Sequence, residues 1–483
     1  MEKITKKEQV LISIFLIAIL AMSSGSMVAF AKSNAHVVKP NGTDDTADIQ
    51  AALNSCVGAG PQCTVQLVAG TYYISQIAVS GFQGSFVGMG QGVTVIQALP
   101  NLPDPNPLYN TPTTPFWAEP PGPSNPWPAL FTFVGGTFLI SQMTITDQNS
   151  APLVSPGWVC CGSPYYTALD EGILIAGQQA SVTVDHVSVI GTSGDEYGTN
   201  MNYAIEVDSH MLPEGWTDAL ADMLPLTGAF SVTNSVFDTV ATGTGGGFLT
   251  SATFTLCHNK FTNSPYPMYF LDWSNTKILA CGNQVTNVQD FGSGFFGLQS
   301  AYKSGLLPSA VYIIDNTFQV SQGSTGIFLA DFGSPSSLSA VISGNTIKTD
   351  TSCGCYDPTS PQYYSAIISS NLKSSVVSLN TINGAGAAGI YISGGPGQVA
   401  GNVVSAVNTG IQVDVANGVN VAANLVKNSA QWGIAVTDGS GNNRIIGNFV
   451  HNSGAFDLYQ DTTSTGNVWH GNFCSTSSPP GLC

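Results

Sequence analysis

Gly389-Ile390-Tyr391-Ile392, Gly401-Asn402-Val403-Val404, Gly410-Ile411-Gln412-Val413 and Ala423-Asn424-Leu425-Val426 follow one another as two interleaved patterns. The first and third alternate in steps of two and are rich in Ile and Val, which predicts short strands rather than helices. The second and fourth set an Asn between a small residue and an apolar pair, the chemistry of a tight turn. Working outward, the asparagine motif recurs at Asn234, Asn259, Asn283, Asn316, Asn345, Asn380, Asn402, Asn424, Asn448 and Asn472, with gaps of 25, 24, 33, 29, 35, 22, 22, 24 and 24 residues. The strand pattern recurs at 172–175, 204–207, 326–329, 389–392, 410–413 and 433–436. A 22–24-residue period holds three short strands and their turns, and equivalent strands of successive coils then stack in parallel about 4.8 Å apart. The expected fold is all-β, a right-handed parallel β-helix forming one solenoid.

The repeated Asn is expected to form a hydrogen-bonded ladder from coil to coil. The column two residues before it (Val232, Cys257, Cys281, Ile314, Ser343, Ser378, Ala400, Ala422, Ile446, His470) is mostly apolar or small, which predicts that it points inward. Cys257 and Cys281 then lie on adjacent coils, where a disulfide or two stacked thiols would both fit. A solenoid must cover its ends. Asn41-Gly42-Thr43-Asp44-Asp45-Thr46 leads into the amphipathic stretch Ala47–Leu53, predicting a short helix within an N-terminal cap at about 40–60. Cys56/Cys63 and Cys474/Cys483 are the simplest local pairs, the second tying down a tail at about 474–483. The partners of Cys160, Cys161, Cys353 and Cys355 are left open by the sequence.

Only 8% of the 483 residues are charged, and the formal net charge is −17, with Arg444 the single arginine. Phosphate recognition needs Lys and Arg in number, so a nucleic-acid partner is excluded. Lys3, Lys6 and Lys7 precede an apolar run from Val10 to Met22 and a small-residue site ending Ala29-Phe30-Ala31. That order predicts a signal peptide over 1–31, with 32–483 as a single secreted domain, released or held at the cell surface, with no membrane-spanning segment. With no C-x-x-C or H-x-x-x-H spacing, no zinc site is expected.

Gly42-Thr43-Asp44-Asp45-Thr46, the helix after it and Val68-Ala69-Gly70-Thr71-Tyr72 resemble the N-terminal module of the pectate-lyase-like (pectin-lyase-fold) superfamily. The Gly-Asn-x-Ile/Val coils resemble its generic repeats, over residues 36 to 475. The resemblance implies a substrate groove along the first strand of each coil, framed by loops. It also implies, for members that are enzymes, cleavage or epimerisation of acidic polysaccharides. The chain departs from particular members: it has no Arg-x-Lys, His470-Gly471 falls in the last coil, and Asp104-Pro105 continues as Asn106-Pro107.

Coils exceed minimal length at 99–129, 149–168, 191–203, 209–228, 299–309 and 350–364, so function is expected in the decorated half rather than after about 380. In Ala204-Ile205-Glu206-Val207-Asp208, Ile205 and Val207 are expected inside, which turns Glu206 and Asp208 outward, their Cα atoms about 7 Å apart. Inverting glycosidases separate their two carboxyls by about 6.5–9.5 Å. Asp170, Glu171 and Asp272 complete the candidate catalytic carboxylates, and His210, Asp195, Glu196, Tyr269 and Trp273 the candidate substrate contacts, aromatic faces suiting a sugar ring. Two functions stay open at this level. One is a polysaccharide hydrolase or lyase, hydrolysis being favoured by acids without an evident strong base; the other is a non-catalytic glycan-binding or structural β-helix. No cofactor is required, although calcium could bridge carboxylates to an acidic sugar.

Overall fold

The computed structural model describes residues 34–99, 129–147, 154–160, 163–166, 169–192, 201–208, 226–247, 249–271, 273–288, 292–299, 307–321, 323–332, 336–349, 364–384 and 386–483. Over these residues the chain is a right-handed parallel β-helix. Three parallel sheets run its length. The first holds the strands Met201–Asp208, Thr242–Gly247, Tyr266–Leu271, Ser293–Gln299, Thr325–Asp331, Ile367–Ser370, Ala388–Ser393, Thr409–Asp414, Trp432–Thr437 and Phe456–Gln460. The second runs from Leu226–Thr233 to Val468–His470, and the third from Val236–Asp238 to Phe449–His451. Ala129–Thr146 and Leu169–Ile190 are long enough to pass through all three sheets in parallel register. An antiparallel hairpin, Val154–Cys160 with Ser163–Tyr166, interrupts the coil between them.

Alternation fills the bore. Ile205, Val207, Phe254, Phe270, Phe295, Ile327, Ile390, Ile411 and Ile434 are all fully or almost fully buried in one continuous apolar core. The asparagine ladder closes the turns between the second and third sheets. From Asn259 to Asn472, each Nδ2 donates to the Oδ1 of the next Asn over 2.8–3.1 Å. Each Asn amide N–H donates to the same Oδ1, and Nδ2 also reaches a main-chain carbonyl, such as Ile313 O from Asn345 at 2.8 Å. Buried turn groups that water cannot reach are satisfied in this way.

Two sequence expectations shift. Asn234 is outside the ladder: it pairs in level with His258, and Ser235 takes the ladder position, its N–H donating to Asn259 Oδ1. Asn234 instead sits exposed at φ 51°, donating to Asp185. The column Thr233, Cys257, Cys281, Ile314, Ser343 faces outward, because the residues before it (Val232, Leu256, Ala280, Ile313, Ile342) own the core. Cys257 and Cys281 nonetheless meet, their Cα atoms 4.6 Å apart, in a disulfide outside the apolar core, with Cys257 buried and Cys281 half-buried.

Both ends are covered. Helix α1 (Thr46–Ser55) buries Ile49, Ala52 and Leu53. Asp45 precedes it without capping it; its carboxylate accepts instead from Asn41 N and Tyr73 N, joining the helix entry to the first coils. Tyr72 is fully buried and donates to Val38 O, and burial pushes its phenol up to about 12. Cys56–Cys63 and Cys474–Cys483 are bonded, and Leu482 folds the tail over the last coil. Cys161, Cys353 and Cys355 lie outside the described residues, as does the stretch 1–31 expected to be a signal peptide, and no described helix is long and apolar enough to cross a membrane.

Candidate functional site

The outer face of the first sheet carries the candidate site, and strand register fixes what lies beside what. Glu206 stands in one column with Leu174 before it and Gly245, Tyr269, Phe296 and Phe328 after it. Ile205 and Val207 face the core and Glu206 is half-buried on the opposite face, in keeping with the alternation. Two residues along the same strand, the backbone of Asp208 is level with Gly247 and, one coil on, with Leu271. Gly245-Gly246-Gly247 therefore separates the acids from the aromatics. A Cβ at Gly245 would lie 2.7 Å from the Tyr269 carbonyl oxygen, so only glycine fits there, and Tyr203 Cε1 comes within 3.5 Å of the same point.

Beyond the glycines the rings stack at the pitch of the coils. Tyr269 lies 4.9 Å from Phe296 at 12°, and Phe296 lies 5.0 Å from Phe328 at 6°, with Tyr266 meeting both Tyr269 and Phe296 edge-on. Each ring is half-buried. The column continues through Ile368 and Tyr391, which with Ala388 make an apolar cluster outside the main core.

Other expected site residues fall elsewhere. Glu171 is level with Tyr203, three residues before the partner of Glu206, so it is displaced about 10 Å along the strand, and Asp170 lies one residue further. Trp273 is a correction: only 1% exposed, it packs edge-on against Phe270 in the core and its carbonyl accepts from Gln299, so it cannot stack on a ligand. Asp272, His210, Asp195 and Glu196 lie outside the described residues.

A second concentration of polar groups, absent from the sequence reading, occupies the late coils. Asp414 is buried and accepts from Tyr391 Oη and Thr437 Oγ1, each at 2.6 Å. Asp438, exposed and at φ 54°, follows Thr437, the strand partner of Asp414, and donates its N–H to Asp461 Oδ2 at 2.7 Å. Asp414, then burial and the Asp461 charge, hold the Asp438 carboxyl above the usual range. Burial would raise Asp461 too, but donors from Ser464, Asp438 N–H and Thr463 outweigh it and hold it low. Beside this trio, Trp432 stacks on Tyr459 at 4.4 Å and 1°. Asp147 is a further group missed: fully buried at the end of Ala129–Thr146, its carboxyl is pushed by burial to about 7.

His36, Cys56 and Cys63 bring ligand atoms within 4.8 Å of one another, but the two sulfurs are bonded to each other and supply no thiolate.

The stacked strands, the outward column and the covered ends define the class by fold alone: a right-handed parallel β-helix. A family model described as periplasmic copper-binding protein (NosD) matches residues 358–477. Among solved structures, the A-module of the mannuronan C-5 epimerase AlgE6 from Azotobacter vinelandii is 14% identical, covering 93% of this chain and 98% of its own, with a TM-score of 0.37. Polygalacturonase from Erwinia carotovora ssp. carotovora is 14% identical over 86% of this chain and 96% of its own, at 0.40. The catalytic unit of a GH87 α-1,3-glucanase from Streptomyces thermodiastaticus is 14% identical over 93% and 70%, at 0.40. No curated protein sequence matches the chain.

Proposed function

We propose that the protein is secreted and hydrolyses an extracellular polysaccharide laid along the outer face of the first sheet, with Glu206 and Asp208 as the acid–base pair. One observation carries this reading: Glu206 shares a single outward column with the stacked rings of Tyr269, Phe296 and Phe328, across a strip of three glycines. Carboxylates beside aromatic surface suit a sugar, one set for proton transfer and the other for apolar contact with the ring. One carboxyl gives its proton to the departing glycosidic oxygen while the other takes one from the attacking water. The low charged fraction and the net charge of −17 favour a neutral glycan, or an acidic one bridged by calcium. Three disulfides suit an oxidising compartment.

Residues 32–483 are to be incubated with neutral and acidic polysaccharides, with and without calcium, reading new reducing ends and the ultraviolet absorbance of unsaturated uronates. Reducing ends lost in Glu206→Gln and Asp208→Asn support the reading, and a parallel absorbance rise converts it to a lyase. Reducing ends that survive both substitutions move the chemistry elsewhere.

A second reading has its own observation, the Trp432–Tyr459 stack on the same face in coils without long loops. There the protein holds glycan without cleaving it, and retention on a polysaccharide column without turnover is the expected result. Copper binding, named for the family matched at 358–477, does not fit the residues. That span has no methionine, its histidines His451 and His470 sit on different sheets, and its cysteine Cys474 is in a disulfide.

A further inference from the structure

Charge is segregated across the late coils. Over residues 381–483 the acids are Asp414, Asp438, Asp457 and Asp461, and each lies on a first-sheet strand or directly after one. The basic groups of the same span are Lys427, Arg444, His451 and His470, and each lies on the second or third sheet. None of these four makes an ion pair among the described residues. Around one coil the outward residues read Arg444, Ile446, Gly447, Phe449 and His451, while Ile445, Asn448 and Val450 are buried. An apolar column therefore runs between the basic groups of the two sheets: Val403, Leu425, Phe449 and Phe473, one residue per coil. It emerges toward the C-terminal end. Val403 and Leu425 are half-buried, whereas Phe449 is 51% and Phe473 67% exposed, their rings 6.1 Å apart.

We propose that this corner docks on a membrane bearing anionic lipid, Phe449 and Phe473 entering the headgroup boundary and Lys427 and Arg444, on either side of them, meeting lipid phosphates. Exposed apolar side chains gathered in one place mark a surface of interaction. Charge selects the partner. The chain carries a net charge of −17, yet this corner holds no acid, so an anionic surface is the one it complements. A twofold contact of the corner with a second copy would instead set Lys427 and Arg444 against their own equivalents. Shape points the same way. The ladder asparagines close the turn from inside, so Phe449 and Phe473 stand on its outside, in a line parallel to the stack, and both can enter a planar boundary at once. Basic groups flanking inserted aromatic rings then lie at the depth of the phosphates. Glu206 and the first-sheet aromatics take no part, so this inference stands apart from the proposed activity and concerns where the protein is held.

Co-sedimentation with vesicles tests it, using residues 32–483 so that the apolar run Val10–Met22 does not itself enter lipid. Vesicles of phosphatidylcholine alone are compared with vesicles of equal parts phosphatidylcholine and phosphatidylglycerol, at low and high salt. The expected result is binding to the anionic vesicles about tenfold tighter than to the neutral ones, weakened by salt. Phe449→Ser with Phe473→Ser, and separately Lys427→Glu with Arg444→Glu, should each loosen that binding about tenfold or more. All four side chains face away from the core, so the circular dichroism spectrum and melting temperature should stay those of the wild-type chain. If the phenylalanine pair alters the spectrum, the charge pair decides alone. No binding to anionic vesicles, or binding undiminished in correctly folded variants, overturns the proposal. A dimer seen by sedimentation velocity and dissolved by the phenylalanine substitutions also overturns it, assigning the corner to a second copy.

Discussion

The coils over residues 226–349 and those over residues 364–474 share one interior and differ in almost everything outside it. Inside, the asparagine ladder runs unbroken through both, although the spacing between its members is 33, 29 and 35 residues in the middle and 22–24 later. Outside, the third-sheet column reads Lys260, Gln284, Thr317, Thr346 and Thr381, then Val403, Leu425, Phe449 and Phe473. The first-sheet column passes from Glu206 and stacked rings to Gln412, Ala435 and Tyr459. The difference separates two kinds of constraint. An inward turn residue answers to main-chain groups that must be bonded in every coil, whatever the length of the loop between. An outward residue answers to water, which accepts most side chains, so variation there is where use can be written.

The sharpest way to break the comparison is to cut the interior. Asn345→Ala removes the acceptor of Asn316 and the donor to Ile313 O, leaving buried groups unsatisfied. A loss of about 3 kcal/mol is expected, measured by chemical denaturation. Phe296→Ala takes the middle ring from a half-buried outer stack, and about 2 kcal/mol should go in the same assay, together with retention on any polysaccharide the wild-type chain binds. Asp147→Asn tests a buried acid inside the earlier coils. Because its folded proton affinity is raised to about 7, wild-type stability is present in acid and falls as pH rises from the ordinary carboxylate range through that value. The variant should therefore melt higher than wild type at alkaline pH, with the gap closing in acid. Asn234→Ala, displaced from the ladder to an exposed turn, should cost less than about 0.5 kcal/mol. An effect as large as that of Asn345→Ala would put Asn234 on the same footing as the ladder residues.

The period and the ladder were legible because they answer to the interior. The misreadings share a cause. Asn234 matches the motif by type, yet one extra residue before Asn259 moves it to the level of His258, and spacing alone does not reveal which of two turn residues is inside. The cysteine column is apolar or small by type and still faces away from the core, because small residues serve equally well where neighbouring strands crowd. Trp273 has the ring type of a sugar platform, while the core beside Phe270 has room for an indole and takes it. The aromatic column was readable. The third residue of each alternating block gives Leu174, Glu206, Phe328, Tyr391, Gln412 and Ala435 in order, and Tyr269 and Phe296 fall into line once the coils are aligned. Asp438 was not, since it lies one step past the strand, where position depends on the turn rather than on alternation.

The Cys257–Cys281 disulfide matters for a chain built of near-copies. Coils that resemble one another can be threaded one storey too high or too low, and the main-chain bonds of a parallel stack would be almost as well made in the wrong arrangement. Cys257 and Cys281 come within 4.6 Å only when the coil carrying one lies directly upon the coil carrying the other. A slip by one storey parts them beyond the reach of a covalent bond. The crosslink thus works as an error check on the count of storeys, placed in the middle of the stack where neither covered end could enforce it.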